Sequence, residues 1–198
     1  MERKYSSIVF LRSAEATRSK KCENDLTRQL TEKGCAQVPR NLGKFDLVFS
    51  SPAMRALETA RITSRMEPTI IKSLSPYLWN GTRTNGNLSL EDLYKEISDD
   101  EKHSIILLSE EMFGDLDRII RDVDKPGLCV LVVGHAILLP TLLRACALNY
   151  KGMPGGYEDE KFSWNTIIKN GGSYLLEHAQ INPSVIHVHG REKTLFKR

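Results

Sequence analysis

Long apolar stretches are the first thing missing from this 198-residue chain. None approaches the roughly 20 residues a helix needs to span a bilayer, so a membrane-spanning protein is not expected. The opening Met1-Glu2-Arg3-Lys4 leads to only Ile8-Val9-Phe10-Leu11 before Arg12, too short an apolar run for a signal-peptide core. A soluble, cytoplasmic protein is expected. Cysteine is also scarce, and the four present, Cys22, Cys35, Cys129 and Cys146, include no Cys-x-x-Cys pair. That spacing argues against a zinc ribbon or a thioredoxin-like redox site. Cys129 and Cys146 fall in apolar runs and read as small core residues, with reduced thiols.

Charge of one sign is lacking as well. Lys+Arg number 28 against 25 Asp+Glu, a net charge of +3, and the basic residues are scattered. The densest group, Arg18-Ser19-Lys20-Lys21, is soon followed by Glu23 and Asp25 and reads as a solvated loop. With no basic stripe and no aromatic strand motif of the RNA-binding kind, a nucleic-acid module is not expected. Gly 13 and Pro 8 are too few for a collagen-like or linker-like chain. What is there, 40% apolar residues, suffices for one domain over residues 1–198 with its own core.

That core is written as short apolar runs. Residues 6–11, 45–50, 69–71 and 128–133 read as strands, the last of them β-branched, uninterrupted and closed by Gly134. Runs without alternation suit a parallel sheet covered on both faces. Residues 173–177 and 185–188 add two further strands. Between the runs lie helical signals. Thr31 is a candidate N-cap, with Pro39 ending its helix early, and Ser51-Pro52 predicts a capped helix start running to about Arg65. Met112, Leu116, Ile119, Ile120 and Val123 fall at helical spacing, and Ala136 to Leu148 is apolar nearly all round. The alternation predicts an α/β fold: three layers, a mostly parallel central sheet, helices on both faces. Residues 74–104, with Asn80-Gly81 and Asn85-Gly86 turn signals, read as an excursion off the sheet, part of a rim or lid.

Ligands of such sheets bind beyond the C-terminal ends of the strands. Here the first strand ends in Leu11-Arg12-Ser13-Ala14-Glu15, the second in Ser50-Ser51-Pro52-Ala53-Met54-Arg55, and the fourth in Gly134-His135-Ala136. Two arginines and a histidine therefore converge on one edge. The rigid donor fork of arginine matches phosphate oxygens, and a nearby helix start adds positive potential.

These strings resemble the histidine phosphatase superfamily, the phosphoglycerate mutase-like fold. Its opening strand followed by Arg-His-Gly or Arg-His-Ala and an acid is similar to Leu11 through Glu15. Its Leu-Thr-x-x-Gly-x-x-Gln segment is matched by Leu30 through Gln37, and its Asp-x-x-x-Ser-Ser-Pro-x-x-Arg-Ala-x-x-Thr-Ala signature by Asp46 through Ala60, with Arg55 at the arginine. Its later Val-Val-x-His-Gly element is similar to Val132-Val133-Gly134-His135-Ala136. The resemblance implies a metal-independent, cofactor-free phosphatase or mutase in which Arg12, Arg55 and His135 hold the phosphoryl group. It also implies a histidine nucleophile, but that position is Ser13. The family's proton-donating acid is not matched by the stretch Leu74-Ser75-Pro76-Tyr77-Leu78-Trp79, and Glu110, after Ser109, is the candidate position. Glu15 reads as fixing the first loop rather than transferring a proton.

Neutral imidazole offers a lone pair near pH 7, whereas a serine hydroxyl needs a base or metal to attack. A phosphoserine ester would also outlast a phosphoramidate, so turnover should stall; losing a nucleophile commonly removes several orders of magnitude in rate. The expectation is a protein that binds a phosphorylated small molecule or phosphoprotein with weak or absent phosphatase activity. Two alternatives stand beside it: a phosphomonoesterase whose histidine was exchanged by mutagenesis, and an active phosphatase using Ser13. Specificity would lie in residues 74–104 and 151–161, with Tyr77, Trp79 and Arg83 as candidates for the mouth. Oligomeric state is not legible from these residues.

Overall fold

The computed structural model describes residues 5–17, 25–76, 98–123, 125, 127–135, 138–139, 141–142, 145, 173–177, 186–189 and 193–194. Seven strands form one sheet: β1 (Tyr5–Arg12), β2 (Leu47–Ser50), β3 (Thr69–Ile70), β4 (Leu128–Gly134), β5 (Ser173–Glu177), β6 (Ile186–His189) and β7 (Lys193–Thr194). Their order is β3-β2-β4-β1-β5-β6-β7. β4 sits between β1 and β2 and pairs in parallel with both; β3 joins β2 in parallel. Those four are the continuous apolar runs of the sequence. Beyond β1, strands β5 to β7 run antiparallel to their neighbours.

The uninterrupted pattern of β4 has a direct cause: its residues are covered from both sides. On one face Ile8, Phe10, Phe49, Val130 and Val132 pack with Ile105, Met112, Leu116 and Ile120 of α3 (Asp99–Asp122), and with Leu138, Leu139 and Leu142. On the other, Val9, Leu11, Val48, Leu131 and Val133 meet Ala56 and Ala60 of α2 (Met54–Ser64). Neighbouring residues of each strand thus go to opposite faces, giving the three layers. Each fully buried aromatic, such as Phe10 or Phe49, contributes roughly 2–3 kcal/mol by leaving water.

The helices begin and end for local reasons. α1 (Glu32–Gln37) is capped by Thr31, whose hydroxyl accepts the Gly34 N–H at 2.9 Å, and it stops before Pro39. α3 carries a capping box: the Ser98 hydroxyl accepts the Glu101 N–H while the Glu101 carboxylate accepts that of Ser98 at 2.8 Å. The helix therefore starts at Asp99, so residues 99–104, which the sequence pattern places in the off-sheet excursion, are its first turns. The middle of that excursion, residues 77–97, lies outside the described residues. Of the helix expected over residues 136–148, Leu138, Leu139, Thr141, Leu142 and Ala145 are described, all helical and buried. Cys129 is only half-buried at the entry to β4; Cys22 and Cys146 lie outside the described residues. No helix among the described residues is long and apolar enough to cross a membrane.

α2 departs from its expected start. The Ser51-Pro52 signal predicts a hydroxyl cap, yet the first helical residue is Met54 and its N-cap, Ala53, makes no side-chain cap bond. The Ser51 hydroxyl instead accepts the Ala53 N–H at 3.3 Å and meets His135 at 2.8 Å.

Candidate functional site

The register of the sheet brings three chain segments level. Arg12 lies opposite Gly134 and Ser50 opposite Val133. Each ladder continues one residue further, with Ser13 N–H donating to the Gly134 carbonyl at 2.9 Å and Ser51 N–H to that of Val133 at 3.0 Å. Residues 12–13, 50–51 and 134–135 thus end side by side, with the His135 strand in the middle. This is also where the connections part: from β1 the chain passes over β4 to β2, whereas β5 lies on the far side of β1.

α2 supplies the second arginine. Arg55 is buried, and its Nη2 stands 3.3 Å from Nδ1 of His135, while Nε2 of His135 lies 2.8 Å from the Ser51 hydroxyl. Guanidinium can only donate, so Nδ1 accepts and the ring proton sits on Nε2, donating to Ser51. His135 is held well below the ordinary imidazole value, first by burial and then by the nearby positive charges of Arg55, Arg12 and Arg28. The neutral ring is therefore favoured, with Arg55 within hydrogen-bond reach and Arg12 and Arg28 adding their positive fields.

The loop after β1 is braced from two sides. The Ala14 N–H donates to the Thr59 hydroxyl at 3.2 Å, and that hydroxyl donates to the Arg55 carbonyl at 2.6 Å, tying α2 to the loop. The strap of residues 28–34 does the rest: Thr17 N–H bonds the Gln29 carbonyl, Thr31 N–H bonds the Glu15 carbonyl, and Arg28 Nε donates to the Thr17 carbonyl at 2.6 Å. Glu58 of α2 in turn accepts the Leu30 N–H at 2.7 Å. The N–H groups of Ser13, Ala14 and Thr17 are all occupied by protein acceptors.

The positions anticipated from sequence separate into two sets. Arg12, Ser13, Arg55 and His135 stand at the same sheet edge, with Ser13, Arg55 and His135 all buried. Glu15 turns away, pairing with Lys33 at 3.0 Å and lying 3.5 Å from the Thr31 hydroxyl. Glu110 is exposed on α3, about one and a half turns from Asp115, which accepts from Ser73 at 2.7 Å. Tyr77, Trp79, Arg83 and residues 151–161 lie outside the described residues. Three residues were not singled out from sequence: Ser51 and Thr59, which fall inside the Ser-Ser-Pro signature without a site role of their own, and Arg28, two residues before the Leu30-Thr31 motif. Among the described residues, no three His, Cys, Asp or Glu side chains gather as a metal site.

No protein-family model matches the chain, and no curated protein matches it in sequence. Solved structures do. The phosphoserine phosphatase of Entamoeba histolytica, in complex with 3-phosphoglyceric acid, superposes over 95% of this chain and 97% of its own, with TM-score 0.59 and 18% identity. The alpha-ribazole phosphatase of Shigella flexneri covers 95% and 96%, with TM-score 0.56 and 18% identity. A mycobacterial glucosyl-3-phosphoglycerate phosphatase covers 93% and 97%, with TM-score 0.53 and 15% identity. The chain has the histidine-phosphatase fold. The superpositions show the architecture alone, and the chemistry of the chain rests with its own residues.

Proposed function

We propose that this protein binds a phosphate monoester of a small molecule among Arg12, Arg55 and His135 and hydrolyses it weakly or not at all. The edge carries cations and hydrogen-bond donors, and Glu15, the carboxylate of the adjoining loop, is engaged with Lys33 and Thr31. Such an environment favours a doubly charged anion, and planar guanidinium donors match its oxygens. The neighbours that share the fold are phosphatases, and one of them holds 3-phosphoglyceric acid.

One observation carries the reading of low activity. Ser13 stands where the resemblance implies a nucleophilic histidine, and a serine there needs a base. The only imidazole at this edge among the described residues is His135, and both its ring nitrogens are taken, Nδ1 by Arg55 and Nε2 by Ser51. Its depressed basicity argues the same way. Among the described residues no base is placed to accept the Ser13 proton, which disfavours an active serine phosphatase. Were turnover present, Glu110 would be the candidate donor to the leaving oxygen.

The test pairs binding with restoration. Calorimetry with phosphoserine, 3-phosphoglycerate and a phosphopeptide should show binding to the unaltered chain, strongest for the small esters. Ser13→His should then gain little hydrolysis of an aryl phosphate if the protein has long served as a binder. A gain of several orders of magnitude would instead identify a phosphomonoesterase lacking only its nucleophile. Phosphate found on Ser13 by mass spectrometry, together with turnover, would overturn the proposal.

A further inference from the structure

Ser51 has no part in holding phosphate, yet its hydroxyl is fully buried and meets His135 at 2.8 Å as well as accepting the Ala53 N–H at 3.3 Å. We propose that Ser51 is a positioning residue that accepts the Nε2–H of His135 while Arg55 keeps Nδ1 a lone pair, so that binding a phosphate dianion draws one proton into the pocket. The inference rests on the phosphate-pocket reading above and adds to it how that pocket changes state.

The argument is one of donors and acceptors. An Arg55 N–H faces Nδ1 at 3.3 Å, so a proton on Nδ1 would set two donors against each other. Ser51 at 2.8 Å gives the alternative tautomer its partner, since the hydroxyl oxygen accepts from Nε2. Nδ1 is thereby kept as a lone pair on the side of Arg55. Among the described residues the charged groups that act on the ring are Arg55 from α2, Arg12 from the end of β1 and Arg28 from the strap, all positive. With no anion present they oppose a second ring proton.

A bound dianion reverses that balance. Its oxygens draw the Arg55 N–H away from Nδ1, and its charge offsets the three cations. The freed lone pair then takes a proton from solvent, forming an N–H bond on Nδ1 that donates to a phosphate oxygen, while Nε2–H stays on Ser51. The ring passes from neutral to imidazolium without rotating. The Ser51–His135 pair is accordingly not a nucleophile and base: the ring nitrogen facing the hydroxyl already holds a proton, and Ser51 is closed off from any substrate.

The full-length protein with 15N-labelled histidine tests this, using inorganic phosphate and phenyl phosphate as probes. Above the ordinary imidazole range, the free protein should show a His135 ring bare at Nδ1 and protonated at Nε2. Saturating phosphate should protonate both nitrogens, and calorimetry in buffers of different ionisation enthalpy should register uptake of close to one proton per site. Ser51→Ala should mix the two ring forms, at least halve the uptake and weaken binding roughly five- to tenfold, the worth of one hydrogen bond. Ser51→Thr, which keeps the hydroxyl, should restore the wild-type ring pattern. A free ring protonated at Nδ1 overturns the proposal on the wild-type protein alone, even if Ser51→Ala does not fold. Unchanged ring signals and uptake in Ser51→Ala overturn it too. Absence of phosphate binding by the wild type overturns the pocket reading, whereas the free ring pattern still judges Ser51 separately.

Discussion

Arg55 and His135, 80 residues apart in the chain, meet through Nη2 and Nδ1 at 3.3 Å at the edge of the sheet. The buried guanidinium and imidazole put positive charge and N–H donors at this edge, which favours an incoming anion. Arg55→Met should therefore weaken phosphate-ester binding by about 100-fold, the scale of a lost charge-assisted pair. Removing the nearest of the three cations should also move His135 toward the ordinary imidazole range. An NMR titration of the ring together with calorimetry measures both, and unchanged affinity would show that the ligand site lies elsewhere.

Acid should destabilise the protein in two stages with different origins. His135 is held well below the usual imidazole value by burial and then by Arg55, Arg12 and Arg28, so the folded state keeps it neutral. As pH falls through the ordinary value near 6.5, the unfolded chain takes up a proton that the folded one refuses, and stability declines. Asp46 is lowered first by the Cys129 N–H at 2.9 Å and then by Lys125, so the folded state favours its ionised form. Its contribution is complete above the unfolded aspartate value and is lost as pH falls through the folded one. Urea midpoints against pH should show a first decline of at most about 1.4 kcal/mol per pH unit beginning near neutrality. His135→Gln should remove that decline and Asp46→Asn should flatten the lower one. A wild-type profile flat from neutrality to pH 5 would contradict the assignment of His135.

The strands and their common edge were legible because burial on both faces leaves a signature that needs no partner information. The runs at Ile8–Leu11 and Leu128–Val133 are apolar throughout, and β1 and β4 fall within three residues of them. The direction of β5 to β7 was not legible, since a short apolar run reads alike in either orientation. Ser51 misled for a related reason. A serine before a proline satisfies the rule for a helix cap, and only the return of the chain at residue 135 offers the hydroxyl a competing partner. The capping box at Ser98 and Glu101, by contrast, stood in the sequence as Ser-x-x-Glu and would have fixed the start of α3.

Gly34 provides a test of the strap. A Cβ built there would lie 1.9 Å from the Glu15 carbonyl oxygen, a backbone atom that cannot rotate aside. α1 approaches the loop after β1 closely only because this position has no side chain. Gly34→Ala should therefore destabilise by about 3 kcal/mol or push the strap outward. The second outcome would shift Ser13 and Arg12, so phosphate-ester affinity should fall even where the variant remains folded. Wild-type stability and affinity in Gly34→Ala would mean that the loop is not held by this contact.

Two threonines one turn apart on α2 should respond in opposite ways to the same substitution. The Thr59 hydroxyl accepts from Ala14 N–H at 3.2 Å and donates to the Arg55 carbonyl at 2.6 Å, while that of Thr63 is buried with no partner among the described residues. Replacing either by valine keeps volume and branching, which isolates the hydroxyl. Thr59→Val leaves the Ala14 N–H unsatisfied in the interior and should lose about 1–3 kcal/mol. It also releases the brace between Arg55 and the Ser13 loop, so ligand affinity should fall with stability. Thr63→Val removes a buried polar group that makes no bond and should be neutral or stabilising by up to about 1 kcal/mol, with affinity unchanged. Thermal and urea unfolding of the two variants gives the comparison. Equal losses in both would mean that the valine methyl, rather than the hydrogen bonds at Thr59, decides the outcome.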